Sequence, residues 1–461
     1  MLTLRIDNRI TLFPLGELPP PALDRLKDRL SFPNPAWLEN QKHGYSNWRV
    51  PEVLQFWEID GDTMIMPRGF IGRAIWVLRD AGIQYQVDNQ TRRLPGVDFR
   101  FTGRLKDFQT EAVAAIVRRD FGTLAAPTGS GKTVMALAVI AKRRQPALIV
   151  VHSKELLNQW IDRIGTFLGL PADQVGVIGD GKRALGPAVT VALVQTLSKC
   201  AHEVAPYIGF LVCDECHRAP ARTFTEAVTA FNSQYMLGLS ATPWRRDGLT
   251  KLIYWHLGDK VHEVERDGLI KDGHILADEI IVRKTDFEPY SDPSEEYSRM
   301  LSELTQDSER NALIAADVAK EAGNGGGVCL VLSDRKAHCE VLAGMLAKYG
   351  IQAVVLTGDL KNREREQVVN DLNSGQVKVL VATGQLIGEG FDCPELSTLF
   401  LATPIRFSGR VLQYLGRVLR PAPGKDKARV YDYHDVKVGV LVNAARARTR
   451  AYGESAPLLR I

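Results

Sequence analysis

The chain has 461 residues, of which 45% are hydrophobic and 24% are charged, as is usual for a globular protein. Its formal net charge of +4 permits an anionic partner without demanding one. No apolar run approaches the length of a membrane span, and the N-terminal residues lack the apolar core of a signal peptide, so we expect a cytoplasmic protein without membrane contact.

Residues 1–100 differ in composition from the rest of the chain. They contain four of the seven tryptophans and proline-rich stretches such as PLGELPPPAL. Short apolar runs such as RITLF, and the helical pattern of GRAIWVLRDAG, predict a small α+β accessory domain. This range carries thirteen Lys and Arg residues against twelve Asp and Glu residues, so its charge does not indicate nucleic-acid binding.

From residue 101 onward, apolar strand-like segments alternate with helical segments. GTLAAP, ALIVVHS, AVTVALVQ, GFLVCDE and YMLGLSAT are typical of buried parallel strands, and we place them in a first domain at 101–262. The alternation weakens over 263–310, which we interpret as a linker or reduced insertion. It resumes in a second domain at 311–461, which has a basic C-terminal end. The predicted fold class is α/β, with two tandem parallel-sheet domains after the α+β domain.

The segment APTGSGKT, residues 126–133, lies between an apolar strand and a helix. Such a loop binds the phosphates of ATP through backbone N–H groups and the positive end of the helix. We expect Lys132 to reach the β- and γ-phosphates and Thr133 to bind Mg²⁺. The other loop residues that we predict to contact ATP are Pro127, Thr128, Gly129, Ser130 and Gly131.

A second acidic element follows the apolar strand GFLVCDE. A P-loop enzyme needs such an element to hold Mg²⁺ and to orient the attacking water. We predict that Asp214 holds Mg²⁺ through a water and that Glu215 polarises the attacking water. We also predict that His217 relays changes at this site to the hydroxyls of Ser240 and Thr242, which end the next strand.

The same element contains a Cys-x-x-Cys-His spacing, formed by Cys213, Cys216 and His217. That spacing also occurs in c-type haem attachment, in zinc sites and in redox dithiols. A zinc site would need a second cysteine pair at similar spacing, and the sequence has none. Covalent haem would need an exported chain and an axial ligand, and neither is indicated. We therefore expect no haem and no zinc.

With APTGSGKT, DECH and SATP in this order and spacing, the chain resembles the superfamily 2 helicases over about residues 104–440. Within that superfamily it looks closest to the XPB-like DNA helicases and translocases. RLKDFQTEAV, VLVATGQLIGEGFDCP and QYLGRVLRP are among the stretches that carry this likeness. The resemblance implies two RecA-like domains that use ATP and Mg²⁺ to move along DNA with 3′-to-5′ polarity. It also implies a role in DNA repair or a related DNA-processing pathway.

Further site residues follow from the matched motifs. In RLKDFQTEAV, Lys106 and Gln109 match the adenine-reading motif, although Lys106 stands where Arg is usual. In QYLGRVLRP, Arg417 and Arg420 lie three apart on one helix face and would act as arginine fingers on ATP bound at the first domain. The remaining ATP contacts that the resemblance implies are Gly390, Asp392 and Gln413.

Nucleic-acid contacts are expected from hydroxyl, amide and basic side chains that grip phosphates without reading sequence. The candidates are Ser153, Gln195, Thr196, Arg245, Thr357 and Thr383. In WRRDG, Arg245 matches an element that XPB-like proteins use near the strand-separation point, but Arg246 replaces its acid. The alternate arginines Arg446, Arg448 and Arg450 would either contact nucleic acid or form a solvated helix edge.

Two other function classes stay open. The motor core serves RNA as well as DNA, so an RNA-directed helicase is one alternative. The other is a partner-dependent motor or binding subunit of a defence or repair complex, with a nuclease as one possible partner. Residues 1–100 would then engage DNA or form a docking surface for another protein.

Overall fold

The computed structural model describes residues 1–216, 221–241, 250–324, 327–358, 362–384, 393, 395–405, 414, 418, 425 and 427–452. Within these ranges no helix combines the length and the hydropathy that a membrane crossing requires. The chain divides into two compact units. Unit 1 comprises residues 1–127 and 131–264, and unit 2 comprises residues 128–130 and 265–461.

Unit 1 begins with a five-stranded sheet of order β5-β6-β2-β1-β7, antiparallel except for the β1–β7 pair. Its strands are β1 Leu2–Ile6, β2 Arg9–Phe13, β5 Glu58–Asp60, β6 Thr63–Pro67 and β7 Tyr85–Asn89. Strands β3 Ser31–Pro33 and β4 Val53–Gln55 form a separate antiparallel pair. The helices are α1 Pro20–Arg29, α2 Pro35–Lys42 and α3 Ile71–Asp80, with 3-10 turns at Leu15–Glu17 and Arg68–Phe70. Helix α3 buries Ala74, Val77 and Leu78, the spacing of one apolar helix face. We call residues 1–89 the N-terminal module.

The second sheet of unit 1 has eight strands in the order β11-β10-β12-β9-β13-β14-β8-β15. The strands are β8 Phe121–Ala125, β9 Ala147–Val151, β10 Gly176–Gly179, β11 Lys182–Ala184, β12 Val189–Leu193, β13 Phe210–Cys213, β14 Tyr235–Ser240 and β15 Lys260–Glu263. The helices are α4 Asp107–Val117, α5 Lys132–Arg143, α6 Lys154–Leu168, α7 Val194–Leu197, α8 Ala201–Val204, α9 Ala221–Val228 and α10 Thr250–Leu257, with 3-10 turns at Ala172–Gln174 and Ala205–Tyr207. All neighbouring strands are parallel except β10 and β11. The central strands are buried along their whole length because helices cover both faces of the sheet.

Unit 2 contains a parallel sheet of order β16-β21-β20-β17-β19-β18. The strands are β16 Asp278–Thr285, β17 Val328–Ser333, β18 Ala353–Leu356, β19 Val379–Thr383, β20 Leu396–Leu401 and β21 Ala428–Asp435. The helices are α11 Arg266–Lys271, α12 Tyr297–Gln306, α13 Ser308–Gly323, α14 Lys336–Lys348, α15 Asn362–Asn373 and α16 Gly439–Tyr452. This architecture has the fold class that the sequence predicts.

Strand β16 lies inside the stretch 263–310, which the sequence suggests is a linker. It is an edge strand with one neighbour, β21, and several of its side chains are partly exposed. An edge strand therefore needs no continuous apolar run, and DEIIVRKT lacks the signal of the central strands. The domain bounds drawn from the sequence stay predictions, and the sheet of unit 2 begins within the predicted linker.

The N-terminal module shares a hydrophobic core with helix α10 of the adjacent eight-stranded domain. Trp255 of α10 is fully buried, with its ring centroid 5.6 Å from that of Phe32 and 5.3 Å from that of Phe56. The backbones also meet closely, because a Cβ at Gly69 would lie 2.4 Å from the carbonyl oxygen of Tyr254. Only glycine fits at this position. The module is therefore continuous with the α/β domain in packing.

Polar contacts reinforce this seam between the module and the eight-stranded domain. The buried guanidinium of Arg68 donates to the carbonyl oxygens of Asp7 at 3.1 Å and Ser233 at 2.8 Å. After β7 the chain runs along the α/β domain, where Arg92 pairs with Ser233 as an isolated parallel bridge. Further along, the backbone N–H of Leu94 donates to Gln145 Oε1 at 2.7 Å. The segment that links the two sheets is thus attached along its length.

In unit 2, buried ion pairs attach helices to the sheet. Arg448 of α16 is buried and binds Asp432 of β21 through Nε at 3.0 Å and an Nη nitrogen at 2.7 Å. Arg310 of α13 binds Asp435 through Nε at 2.7 Å, and its side chain is equally buried. Arg448 therefore neither forms a solvated helix edge nor is available to nucleic acid, because its charge is paired with Asp432 inside the domain. The alternating pattern in RARTR did not reveal this partner, which lies 16 positions earlier on the preceding strand.

Candidate ATP-binding and nucleic-acid-binding site

The predicted site residues around the eight-stranded sheet follow five neighbouring strands. The strands β12, β9, β13, β14 and β8 are adjacent and parallel, so their carboxyl ends meet at one edge of the sheet. The phosphate loop follows β8, Ser153 follows β9, and Gln195 follows β12. The acids follow β13, and Ser240 ends β14. Ligands of open α/β sheets bind at this edge.

The phosphate loop has the backbone that its sequence predicts. Gly129 and Gly131 have φ angles of 88° and 83°, in the left-handed region that favours glycine. Helix α5 begins at Lys132 directly after Gly131, so its positive end opens at the loop. A Cβ at Gly131 would lie 2.5 Å from Gln109 Nε2. The predicted adenine-reading residue therefore lies against the phosphate loop.

Gln109 lies in the first turn of α4, and its side chain is buried. Its Oε1 accepts a hydrogen bond from the backbone N–H of Lys106 at 3.0 Å, which fixes the start of the helix. The two residues of the predicted adenine motif are thus in contact with each other. Lys106 takes part through its backbone, so the Lys that replaces the usual Arg does not disturb this contact.

The ammonium of Lys132 points back over its own loop. Its Nζ donates to the carbonyl oxygen of Ala126 at 3.0 Å and lies 3.8 Å from Glu215 Oε1. Both side chains are largely buried, at 10% and 12% exposure. A long flexible cation held by carbonyl oxygens and near a carboxylate can turn to phosphate oxygens when these are present.

Asp214 and Glu215 form a buried acidic pair at the end of β13. Asp214 Oδ1 accepts from the backbone N–H of Glu215 at 2.9 Å, and Oδ2 accepts from the indole Nε1–H of Trp160 at 2.8 Å. Burial, followed by the neighbouring charge of Glu215, raises the pKa of Asp214 to about 6. An ionised carboxylate in such surroundings is costly in free energy, and a bound cation would lower that cost. The pair therefore fits Mg²⁺. Asp214 and Thr133 are the residues that would hold it.

The backbone at Glu215 is unusual. Its φ angle is 45°, in the left-handed region, where a non-glycine residue is uncommon. Such conformations cost about 1 kcal/mol or more and concentrate at functional sites. The two cysteines beside the acids are instead core residues. Cys213 and Cys216 are buried in the apolar cluster of this domain, and burial raises the pKa of both thiols. Both cysteines therefore belong to the core of this domain.

The nucleic-acid candidates of unit 1 lie beside one another. Ser153 caps helix α6, since its Oγ accepts from the backbone N–H of Leu156 at 3.4 Å. The exposed Gln195 donates through Nε2 to the carbonyl oxygen of His152, the residue before Ser153, at 3.5 Å. Thr196 follows in the short helix α7. These side chains occupy adjacent strand ends, although capping already uses the hydroxyl of Ser153.

In unit 2, Thr383 ends β19 and Thr357 directly follows β18. The two strands are parallel neighbours, with Leu356 paired to Ala382, so the two threonines lie at adjacent strand ends. The remaining predicted site residues lie outside the described part of the chain; they are His217, Thr242, Arg245, Gly390, Asp392, Gln413, Arg417 and Arg420. Their roles stay predictions.

Sequence reasoning missed Trp160. The residue lies in α6, the helix that Ser153 caps, and its side chain is 1% exposed. A tryptophan on an apolar helix face is usually a core residue, and its hydrogen bond to Asp214 spans 54 positions of the chain. The local pattern therefore gave no signal for this contact.

Two family models match the chain in order. One, described as "Type III restriction enzyme, res subunit", matches residues 102–245. The other, described as "Helicase conserved C-terminal domain", matches residues 310–422. The first match covers the phosphate loop and the acids, and the second covers the predicted arginine fingers. The order agrees with the two parallel sheets.

Curated relatives and solved structures extend this likeness. The chain is 27% identical over 359 residues to "DNA 3'-5' translocase XPB2" of Sulfurisphaera tokodaii, covering 70% of this chain and 79% of that protein. It is 26% identical over 345 residues to "DNA 3'-5' helicase XPB" of Kineococcus radiotolerans, covering 71% of this chain and 59% of that protein, so the match spans little more than half of that relative. The solved structure of S. cerevisiae Dbp5 shares the fold, with a TM-score of 0.52, 15% identity, and coverage of 76% of this chain and 88% of that chain.

A phosphate loop and paired acids at one sheet edge, together with these two helicase-type domains, define a nucleic-acid-dependent ATPase of the helicase class. Within that class the chain is similar to the XPB-like proteins. These matches confirm the resemblance to XPB-like helicases that the sequence motifs predict.

Proposed function

We propose that the protein is an ATP-dependent DNA helicase or translocase with 3′-to-5′ polarity that acts in DNA repair or a related process. The observation that carries the proposal is the buried pair of Asp214 and Glu215 at the sheet edge, with Lys132 at 3.8 Å from Glu215. The printed names of the XPB-like relatives support DNA as substrate and support the polarity. The predicted domain bounds and site residues are part of this proposal.

In the proposed reaction, the backbone of the phosphate loop binds the phosphates of ATP and Lys132 neutralises the β- and γ-oxygens. Glu215 accepts a proton from the attacking water. Thr133 and, through a water, Asp214 would hold Mg²⁺, which when bound would neutralise charge on the phosphate oxygens. Arg417 and Arg420 of the second domain supply positive charge to the transition state. Closure and opening of the two domains over each ATP cycle would move the strand.

The test is ATP hydrolysis by the purified protein, alone and with single-stranded DNA, duplex DNA and RNA, beside Lys132→Ala and Glu215→Gln. We expect DNA to stimulate hydrolysis more than RNA, and both variants to lose turnover. Glu215→Gln should still bind ATP, because the change keeps the side-chain shape.

Three results would redirect the proposal. Equal stimulation by RNA would favour the RNA-directed alternative. Stimulation by no nucleic acid would favour a motor or binding subunit that waits for a partner. Normal hydrolysis by Glu215→Gln would show that the acid pair has another role.

A further inference from the structure

Trp160 reaches the acidic pair from a different element than the phosphate loop. It lies near the middle of α6, and its indole Nε1–H donates to Asp214 Oδ2 at 2.8 Å. The other carboxylate oxygen, Oδ1, accepts from the backbone N–H of Glu215 at 2.9 Å. Among the described residues, each oxygen therefore has one hydrogen-bond donor. Two donors from different directions fix the plane of the carboxylate, which a single bond would leave free to rotate.

The indole itself is held firmly. Trp160 is 1% exposed, and α6 buries Leu157, Ile164 and Leu168 on the same face. A helix of fifteen residues with a capped start is a rigid support for a side chain. The donor position is thus set by packing and needs no ligand to form.

We propose that Trp160 is a positioning residue that orients Asp214 for binding Mg²⁺ with nucleotide. The proposal rests on the proposed ATPase function and adds to it a buried residue of α6. Groups that hydrogen-bond to a metal ligand commonly change metal affinity or activity by about 10- to 100-fold when removed. Trp160 has this relation to Asp214.

The simpler explanation is that Trp160 is a core residue whose loss only loosens the fold. Trp255 provides a matched control for that explanation. It is equally buried and lies in the same unit, but within the described part of the chain its Nε1 has no hydrogen-bond partner. Trp→Phe at position 255 therefore removes the same ring volume without touching the acids.

The experiment compares wild type, Trp160→Phe and Trp255→Phe. Two quantities are measured: the Mg²⁺ concentration that gives half-maximal ATP hydrolysis, and the affinity for ADP by calorimetry with and without Mg²⁺. For Trp160→Phe we expect the half-maximal Mg²⁺ concentration to rise about 10-fold and the Mg²⁺-dependent gain in ADP affinity to fall about 10-fold. ADP affinity without Mg²⁺ should stay at the wild-type value. Trp255→Phe should match wild type in the half-maximal Mg²⁺ concentration and in ADP affinity with and without Mg²⁺.

The proposal is wrong if Trp160→Phe keeps the wild-type Mg²⁺ dependence, or if Trp255→Phe shifts it equally. Should Trp160→Phe not fold, benzothienyl-alanine at position 160 replaces the N–H with sulfur and keeps the ring shape, and the same two measurements decide. If the wild-type protein gains no ADP affinity from Mg²⁺, the proposed ATPase function fails as well. A wild type with a normal gain and an unchanged Trp160→Phe variant would overturn only the role of Trp160.

Discussion

The two units attach their outer elements to their sheets by different chemistry. In unit 1 the N-terminal module is joined to the α/β domain by aromatic packing around Trp255. In unit 2 helices α13 and α16 are joined to β21 by the buried pairs Arg310–Asp435 and Arg448–Asp432. Truncating a side chain in an apolar seam lowers stability because it leaves a cavity. Removing one partner of a buried ion pair lowers stability because the other charge stays buried and unpaired.

Two buried arginines express the same contrast. Burial lowers the pKa of Arg68 to about 10, against a smaller opposing effect of Asp7 and Asp120, since its contacts are carbonyl oxygens and the sulfur of Met236. Burial also acts to lower the pKa of Arg448, but the charge of Asp432, its hydrogen bond and the neighbouring Tyr452 and Asp435 together outweigh burial, and the pKa is raised. A buried guanidinium that binds only neutral acceptors is thus less strongly held in its charged form than one with a carboxylate.

The largest effect is expected from removing the acid of the second pair. Asp432 accepts from Arg448 and from the hydroxyl of Tyr452 at 2.8 Å, so Asp432→Ala leaves both donors buried without it. We expect a loss of about 5 kcal/mol, the upper end for a broken buried pair. Hydrogen exchange by mass spectrometry on peptides of α16 and β21 measures it. Exposed Glu296, whose ion pair with Arg299 lies at the surface, is the control, and Glu296→Ala should leave exchange unchanged.

The next effect tests the aromatic seam. Trp255→Ala removes a fully buried ring and should lower the free energy of unfolding by about 4 kcal/mol. The backbones at Gly69 and α10 are already in close contact, so the cavity cannot collapse much. All seven tryptophans lie in residues 1–264, so tryptophan fluorescence during urea unfolding follows unit 1 alone. Trp48→Ala, at 76% exposure, is the control and should change the free energy of unfolding by less than about 0.5 kcal/mol. A small loss for Trp255→Ala would mean that the module is attached mainly by its polar contacts.

These contrasts also mark what the sequence could predict. The phosphate loop, the acids at the end of β13 and the alternation of strands and helices are local patterns, and the structure places the described ones together. Trp255 in the core of the N-terminal module, Trp160 on Asp214 and Arg448 on Asp432 join residues that are distant in the chain or on separate elements. Each also resembles an ordinary core or surface residue in its local context. Only the packed fold identifies their partners.

A smaller effect follows from the charge of Asp432. Burial would raise its pKa, but the charges and hydrogen bonds of Arg448 and His434 together outweigh burial and lower the pKa to about 2. A lowered carboxyl pKa stabilises the folded state above the unfolded pKa, near 3.9, and this stabilisation is lost as the pH falls toward 2. The ionised Asp432 should contribute about 2 kcal/mol to the free energy of unfolding above the unfolded pKa. Urea midpoints by circular dichroism at pH 5 and pH 2.5 measure it, with Asp432→Asn as reference. If the gap between wild type and Asp432→Asn is the same at both pH values, the pair does not hold the carboxylate ionised.

The last comparison sets the two arginines side by side, through Arg68→Met and Arg448→Met, and the smallest loss is expected at position 68. Methionine keeps the length of the apolar stem in both. At position 448 the change leaves Asp432 buried and charged, which should cost about 3 kcal/mol or more. At position 68 it leaves two carbonyl oxygens without this donor, at about 1 kcal/mol each, and it also removes a poorly solvated charge, so the net loss should be about 1 kcal/mol. Tryptophan fluorescence during urea unfolding measures the loss of stability in unit 1. Hydrogen exchange in β21 measures the loss in unit 2. Equal losses would mean that the carbonyl contacts hold Arg68 as firmly as a carboxylate holds Arg448, and the contrast between the two seams would then lie in their aromatic packing alone.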